Sequence, residues 1–272
     1  MGSSLAIKLI KDDINYLKNK YDNFYVLKID ISKYFYSIDH NVLKSLLKDK
    51  LDINEYSLIS KVIDSTNYDY INEKINILKN NAINKYPNHK EEIEQLPLYN
   101  KGKGLSIGAM TNQLLAIFYL YKLHTYIIHK LKIKHTVIYI DDYILMHQDK
   151  EYLQRCLIEI VKILNNEYKL QINKKKTNIV SIKEGFIFLQ YRFKVVNNKT
   201  IIKLRYDTLN KVKRNLKTNK YLFLNDKILF KKYFSCINNY TNTFIYDKIR
   251  MSRIIDRVVF KRSPIMPRMC LT

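Results

Sequence analysis

Residues 136–146 read Thr-Val-Ile-Tyr-Ile-Asp-Asp-Tyr-Ile-Leu-Met, so two short apolar runs flank a pair of adjacent acids. Runs of this length, rich in β-branched and aromatic residues and separated by a two-residue polar break, are typical of a β-hairpin. Asp141 and Asp142 would lie at its tip, where neighbouring carboxylates repel each other and are hard to desolvate. Such a pair is stable when a cation neutralises it, although Asp is also an ordinary turn residue.

A third acid ends another predicted strand. Residues 25–30 read Tyr-Val-Leu-Lys-Ile-Asp, so Asp30 follows a short run of aromatic and β-branched residues. If this strand pairs beside the hairpin, the Asp30 carboxylate points to the same place as Asp141 and Asp142. Three hard oxygen ligands suit Mg²⁺, and two such ions about 4 Å apart stabilise the attacking and leaving oxygens in phosphoryl transfer.

The remaining periodicity predicts an α+β sheet domain followed by a basic helical appendage. Residues 69–100 are polar with weak helical periodicity, which indicates an exposed insertion. Further helices are predicted over residues 5–20 and 111–131, after an N-cap at Asp39, after Asp149, and from Tyr206 onward. Further strands are predicted after residues 174–176 and from Gly185 to a turn at Asn197-Asn198.

The charge is large and unevenly distributed. The 272 residues include 48 Lys and Arg against 25 Asp and Glu, a net charge of +23. Residues 174–272 alone carry 24 basic and 5 acidic residues, a net charge of +19. A polyphosphate is the natural partner for such a field, because each neutralised phosphate releases a condensed counterion. For the Tyr and Phe side chains of this region we expect packing rather than base stacking.

Composition also excludes several classes of protein. With 47% apolar residues, 5 Gly and 4 Pro, the chain is neither disordered nor collagen-like. It has no stretch of about 18 uncharged apolar residues and no signal peptide, so we expect no membrane contact. The three cysteines, Cys156, Cys236 and Cys270, are far apart and lack metal-ligand spacing. We therefore expect a reduced cytoplasmic protein with incidental thiols.

Taken together, these stretches resemble the reverse transcriptases of bacterial retroelements, which include those of group II introns, diversity-generating retroelements and retrons. The resemblance covers about residues 1–250, and its most specific motif is Lys-Ile-Asp-Ile-Ser-Lys-Tyr-Phe-Tyr-Ser-Ile-Asp-His at residues 28–40. The other matching motifs, in the family order, are residues 104–113, 139–142, 170–177, 185–191 and 233–240.

The resemblance implies a right-hand polymerase palm, an antiparallel sheet with helices, joined to a helical basic thumb. Residues 1–20 would be a remnant of the fingers, residues 21–200 the palm with its insertion, and residues 201–272 the thumb and basic tail. Family members normally carry N-terminal fingers that grip the incoming triphosphate and the template. Here Met1 begins shortly before the first palm motif, so we expect most of the fingers to be missing and triphosphate binding to be weakened.

The resemblance also implies a metal site and a nucleotide pocket. Two Mg²⁺ ions, which Mn²⁺ can replace, would be held by the Asp30, Asp141 and Asp142 carboxylates and by the Ile31 carbonyl, with Asp142 the least direct ligand. The nucleotide pocket and primer grip would be formed by Phe35 as a steric gate against ribonucleotides, Gln113 at the templating base pair, Lys176 at the triphosphate, and Phe188, Leu189, Gln190 and Tyr191 on the primer backbone.

Each of these roles has a simpler alternative. Phe35 is also compatible with a core position, Gln113 with a solvent-facing one, and Lys176 with a solvated run of lysines. Residues 188–191 are compatible with the core of a β-hairpin. Two departures from the family pattern bear on precision, because Asn112 replaces the usual Ser and Gln190 replaces the usual Gly.

The implied activity is that of an RNA-directed DNA polymerase, which adds deoxynucleotides to a primer 3′-hydroxyl copied from an RNA template. Its partners would be the RNA template, a DNA or RNA primer and deoxynucleoside triphosphates. Two alternatives stay open. The chain is compatible with a non-catalytic RNA-binding remnant that needs a separate fingers-bearing or accessory protein, and with a defence-associated, template-independent nucleotidyltransferase that uses the same palm.

Overall fold

The computed structural model describes residues 3–218, which fold into ten α-helices and seven β-strands. The predicted thumb segment 233–240, the basic tail around Arg262 and Arg268, and two of the cysteines lie outside the described residues. In chain order the elements are α1 (Ser3–Lys20), β1 (Tyr25–Asp30), α2 (Tyr34–Ser37), α3 (His40–Leu47), α4 (Ile53–Asp64), α5 (Asp69–Lys85), α6 (Lys90–Glu94), α7 (Met110–Tyr119), α8 (Tyr121–His129), β2 (His135–Tyr139), β3 (Asp142–His147), α9 (Lys150–Asn166), β4 (Asn178–Ser181), β5 (Phe186–Phe188), β6 (Tyr191–Val196), β7 (Lys199–Leu204) and α10 (Tyr206–Thr218).

The described residues divide into two compact units, residues 25–179 and residues 3–24 with 180–218. Strands β2, β3, β1 and β4 form a four-stranded sheet in that order, and the division falls within β4. Strand β3 is antiparallel to both β2 and β1, as the hairpin prediction requires. The α+β class is confirmed.

The centre of this sheet is held by apolar burial. Leu27 and Ile29 on β1 are fully buried, and so is Leu145 on β3. They share one core cluster with residues of α7, α8 and α9, among them Ile127 and Ile160. Removing apolar side chains from water stabilises a fold by roughly 25 cal/mol per Å², so this core fixes the register of the strands and of the acids at their ends.

The second unit contains the three-stranded antiparallel sheet β5-β6-β7. The predicted turn at Asn197-Asn198 is confirmed, with φ of 47° and 55°. The prediction of one strand from Gly185 to this turn is wrong, because Leu189 and Gln190, with φ of 44° and 71°, form a second tight turn. A turn of this kind usually carries Asn or Gly, so its sequence gave no signal.

The single helix predicted over residues 111–131 is also wrong. It is two helices, α7 and α8, which meet at Leu120 with φ −101° and ψ 9°. Leu120 and Tyr119 are fully buried, and the Tyr119 hydroxyl donates to the Tyr168 carbonyl at 2.7 Å. Tertiary packing breaks the helix here without Gly or Pro.

The predicted helix caps at Asp39 and Asp149 are confirmed. Asp39 caps α3 by accepting a hydrogen bond from the Val42 amide at 3.1 Å, and Asp149 caps α9 in the same way. Within the polar stretch 69–100, α5 buries none of its residues, whereas Tyr99 is buried. Of the described residues, Cys156 is buried and unpaired, and none of the helices in this part of the chain is long and apolar enough to cross a membrane.

Gly104 lies in the loop that leads into α7 and is held on both sides. Its amide donates to the Ile38 carbonyl at 2.8 Å, and its carbonyl accepts from His40 Nε2 at 2.7 Å and Thr66 Oγ1 at 2.9 Å. Its φ of +91° suits Gly, and a Cβ would lie 2.7 Å from a ring carbon of Tyr99. The loop is therefore packed against its neighbours at a point where only Gly fits.

We predict that Gly104→Ala lowers the free energy of unfolding in urea by about 2–4 kcal/mol, through backbone strain and overpacking. Gly102→Ala is the matched control, because Gly102 also has a positive φ, of +74°, but a Cβ there would meet no atom within 4 Å. We expect the control to cost about 1 kcal/mol, from strain alone. Equal losses for the two variants would contradict the packing account of Gly104.

Candidate active site

The β2–β3 hairpin presents its acids through a strained turn. Tyr139 pairs with Asp142, so Ile140 and Asp141 form a two-residue connection. Ile140 has a φ of 58°, in the left-handed region that β-branched residues rarely occupy. Strain of this kind costs about 1–3 kcal/mol and often lies at functional sites. The sequence pattern located the hairpin but gave no sign of the strain at Ile140.

The pairing of β1 with β3 brings Asp30 to the same place. Asp30 is the last residue of β1 and lies directly opposite Asp142 in the antiparallel register. Residues opposite each other in such a pair project their side chains from the same face, with Cβ atoms about 5 Å apart. Asp141 immediately precedes Asp142, in the adjoining turn. The structure therefore brings together all three acids that were predicted from the sequence.

The acids are electrostatically frustrated. Burial, then the neighbouring charges of Asp142 and Asp30, raise the pKa of Asp141 to about 6, although Lys176 opposes them. Burial and the Asp30 charge also raise the pKa of Asp142, against the opposing effect of Lys28. One carboxylate oxygen of Asp142, Oδ1, is buried without a hydrogen-bond partner. A buried acceptor of this kind is costly unless it is paired.

Lys176 supplies one positive charge at the site. Its ammonium Nζ lies 3.4 Å from Asp30 Oδ1, and its side chain is 63% exposed. Lys176 is therefore next to the acids, yet it keeps access to solvent and to a ligand. An exposed ion pair of this kind contributes little to stability, about 0–1 kcal/mol, so its position does not follow from stability alone.

The backbone of Asp30 is fastened by the chain just before and after Lys176. The Asn173 amide donates to the Asp30 carbonyl at 2.7 Å, and the Asp30 amide donates to Thr177 Oγ1 at 3.3 Å. No role for Asn173 was predicted from the sequence. Its side chain accepts from the Lys175 amide at 3.2 Å, the turn that an Asn before a run of lysines favours. That signal could have been used.

Ile31 was predicted to offer a carbonyl oxygen. It forms an antiparallel bridge with Ile172, and the Asn173-to-Asp30 bond and the Ser32-to-Gln171 bond flank that bridge. In this pattern the bridging residues direct their own N–H and C=O away from each other. The Ile31 carbonyl therefore points away from residues 171–173.

The three acids do not yet form a closed ligand set. Within residues 3–218, no three His, Cys, Asp or Glu side chains are grouped so that they could hold a metal ion as they stand. The donor chemistry nevertheless fits a divalent cation, because carboxylate oxygens are the ligands that Mg²⁺ prefers. The unpartnered Asp142 Oδ1 and the raised pKa of Asp141 both indicate missing positive charge.

Phe35 lies five residues after Asp30 and is half-buried. Its carbonyl accepts from the Leu105 amide at 2.7 Å, and its ring packs edge-on against Tyr34 at 5.8 Å between centroids. The ring also packs against the core cluster. Part of the Phe35 ring is therefore a core residue, and the exposed part of the ring is available for contact with a ligand.

At the start of α7, Asn112 is buried and Gln113 is exposed. Asn112 is buried, and its side-chain amide donates to Ser106 Oγ at 2.6 Å and to the Ser106 carbonyl at 3.1 Å. This departure from the family pattern therefore ties the Gly-rich loop to the helix. Gln113 is exposed, which is compatible both with a pocket residue and with the solvent-facing alternative.

The predicted primer grip lies in the other unit. Phe188 and Tyr191 are buried and pair across the β5–β6 turn, so they form part of a hairpin core. Gln190 is exposed at φ 71°, and its side-chain oxygen accepts from Thr208 Oγ1 at 2.8 Å. The Gln in place of Gly thus carries backbone strain and gains a hydrogen bond to the start of α10.

The sequence profile of the family described as "Reverse transcriptase (RNA-dependent DNA polymerase)" matches residues 3–224. The match covers most of the chain, and the chain belongs to this family. The resemblance to reverse transcriptases is thereby confirmed, while the bacterial retroelement type stays a prediction. No curated protein sequence matches the chain.

One solved telomerase structure shares the fold. Apo telomerase from Candida tropicalis, truncated from its C-terminal domain, matches with a TM-score of 0.50 and 11% identity over 75% of this chain and 40% of that chain. Telomerase from Candida albicans in complex with a TWJ fragment of telomeric RNA matches with a TM-score of 0.47 and 15% identity, over 98% of this chain and 44% of that chain. This chain thus spans less than half of either telomerase. At these identities the first match shows the fold alone, and that fold agrees with the predicted polymerase palm.

The raised pKa of Asp141 predicts a pH-dependent stability. Between pH about 4 and 6 the folded protein binds more protons than the unfolded chain, so this residue makes stability fall as the pH rises through that window. Asp141→Asn should therefore raise the free energy of unfolding by about 1–3 kcal/mol at pH 7. Urea unfolding in the presence of EDTA measures this difference. At pH 3.5 the variant and the wild type should have the same free energy of unfolding. Equal stabilities at pH 7 would contradict the claim that burial and neighbouring charges destabilise the ionised Asp141 side chain.

Proposed function

We propose that the chain is an RNA-directed DNA polymerase that transfers deoxynucleotides to a primer 3′-hydroxyl under the direction of an RNA template. The observation that carries the proposal is the strand register that places Asp30 opposite Asp142. Asp141 lies in the adjoining turn, and Lys176 lies 3.4 Å from Asp30. Membership of the reverse transcriptase family supports the reaction class.

The proposed ligands of two divalent ions are the carboxylates of Asp30, Asp141 and Asp142 and the Ile31 carbonyl. Bound Mg²⁺, or Mn²⁺ in its place, would raise the acidity of the primer 3′-hydroxyl and neutralise charge on the triphosphate. The protein contributes the placement of these oxygens, because the apolar core fixes the strands that carry them. The frustrated charge of the acids favours cation binding over an empty site.

The nucleotidyl transfer itself forms one bond and breaks one. The primer 3′-oxygen attacks the α-phosphorus and loses its proton, and the bond from that phosphorus to the pyrophosphate oxygen breaks. We assign Lys176 to the leaving group, where its ammonium would stabilise the pyrophosphate charge or donate a proton to it. Its exposure and its distance of 3.4 Å from Asp30 support this role.

Substrate selection is assigned to two side chains near the acids. Phe35 would lie beneath the sugar of the incoming nucleotide and leave no room for a 2′-hydroxyl, so that deoxynucleotides are preferred. Its half-buried ring and anchored carbonyl support a fixed position. Gln113, exposed at the start of α7, would contact the templating base pair.

The proposed partners are an RNA template and a DNA or RNA primer. The net charge of +19 in residues 174–272 supports binding along a phosphate backbone. We place the enzyme among bacterial retroelement reverse transcriptases of the group II intron or diversity-generating type, because Gln113 stands where many intron and retron enzymes have Pro. A separate chain that supplies fingers or accessory contacts is compatible with this placement.

Primer extension tests the proposal directly. Purified protein, a primed RNA template, Mg²⁺ and the four deoxynucleoside triphosphates should yield full-length DNA, and Asp141→Asn should reduce the rate at least about 100-fold. Asp149→Asn is the matched control, because Asp149 caps α9 on the exposed surface and Asn caps a helix equally well. The control should extend at the wild-type rate.

The outcomes that contradict the proposal are distinct. Tight RNA binding without extension would indicate the non-catalytic remnant, and recovery of extension on adding a fingers-bearing protein would identify a subunit. Extension that needs no template would indicate a template-independent nucleotidyltransferase. Equal rates for Asp141→Asn and wild type would remove the acids from the reaction.

A second prediction concerns sugar selection. Phe35→Ala should improve the use of ribonucleotides relative to deoxynucleotides at least about tenfold in kcat/KM, because it opens space beneath the sugar. Tyr36→Ala is the matched control, since the Tyr36 ring stacks on Tyr99 at 4.8 Å. We expect it to leave sugar selectivity unchanged. Unchanged selectivity in Phe35→Ala would return Phe35 to a purely structural role.

A further inference from the structure

Asp39 is a buried acid that the proposed chemistry does not use. Its side chain is 9% exposed and has two charge-compensating partners on different parts of the chain. Oδ1 accepts from the Val42 amide, and Oδ2 accepts from Lys169 Nζ at 3.0 Å. Burial opposes ionisation, but these partners hold the pKa of Asp39 below its ordinary value. Asp39 is therefore a charged anchor, one half of an ion pair across 130 residues.

Lys169 is held in an unfavourable backbone conformation. Its φ of 53° lies in the left-handed region, which costs a residue other than Gly about 1–2 kcal/mol. It stands just after α9, where the chain turns into the stretch 168–177, which we call the lysine segment. A Gly would satisfy that turn without strain. The presence of Lys there points to a use for its ammonium.

Tyr119 makes a second link between the same two places. The Asp39 amide donates to the Tyr119 hydroxyl at 3.3 Å, and that hydroxyl donates to the Tyr168 carbonyl at 2.7 Å. Tyr119 is fully buried, so these two bonds are shielded from water. The start of the lysine segment is thus bound to Asp39 through the ion pair with Lys169 and through the hydroxyl of Tyr119.

The far end of the lysine segment carries Lys176. Between the two ends, the segment runs along Asp30–Ser32, with bonds from Asn173 to Asp30 at 2.7 Å and from Ser32 to Gln171 at 2.8 Å. The segment therefore links the Asp39 ion pair at one end to Lys176 Nζ beside Asp30 at the other.

We propose that Asp39, Lys169 and Tyr119 form a brace that positions Lys176 for the reaction. The inference rests on the proposed function, because it takes Lys176 as the residue that acts on the leaving group. Neither Asp39 nor Lys169 touches substrate in this account, so both are positioning residues. Loss of the brace lowers kcat through Lys176 and leaves the acids in place.

A double-mutant cycle separates positioning from general damage. Lys169→Gly removes the ammonium and relieves the left-handed backbone, and this relief offsets part of the cost of leaving Asp39 without its ion-pair partner. It should lower kcat for primer extension at least tenfold in the wild-type background and less than twofold in a Lys176→Ala background. Lys169→Arg should restore kcat to within twofold of wild type. A tenfold loss in both backgrounds would overturn the brace.

Amide hydrogen exchange tests the brace without catalysis. In Lys169→Gly the amides of Asn173 and Ser32 should exchange at least tenfold faster, while those of the β1–β3 ladder, such as Leu145, stay unchanged. Unchanged exchange at Asn173 and Ser32 would overturn the brace even if the enzyme is active. If the wild type does not extend a primer, the proposed function fails, and exchange still decides whether the brace exists.

Discussion

The antiparallel pairing of β1 with β3 is the constraint on which the site depends. It places Asp30 directly opposite Asp142, with Asp141 in the adjoining turn. Like charges at such a distance repel, and the apolar core around Leu27 and Leu145 holds them together against that repulsion. Burial and then this repulsion raise the pKa of Asp141, and one oxygen of Asp142 is buried without a hydrogen-bond partner. In the role proposed for these acids, stability and function therefore oppose each other.

Positive charge is brought to this site from a distant part of the chain. Lys176 reaches Asp30 because the segment before it is bonded to the backbone of Asp30 and Ser32. That segment is in turn fastened near Asp39, at the start of α3. The run of residues from Asp30 to Asp39 thus contacts β3 at one end and the lysine segment at both ends.

Much of the fold and of the site could be predicted, and the failures have physical causes. Short apolar runs located the β2–β3 hairpin and β1, and N-cap chemistry located Asp39 and Asp149. The break at Leu120 was missed because tertiary packing ends α7 there without Gly or Pro. The turn at Leu189-Gln190 was missed because L-residues rarely adopt the left-handed φ values found there. The pairing of Asp39 with Lys169 was also missed, because local pattern carries no information on which distant residues meet.

The central claim is that Asp30, Asp141 and Asp142 share divalent ions. The most direct measurement is anomalous diffraction from crystals of the full chain grown with Mn²⁺, a primed template and a non-hydrolysable deoxynucleotide. The account predicts anomalous peaks within about 2.5 Å of carboxylate oxygens from both Asp30 and Asp141. Peaks bound to the triphosphate alone, with the three carboxylates unengaged, would contradict it.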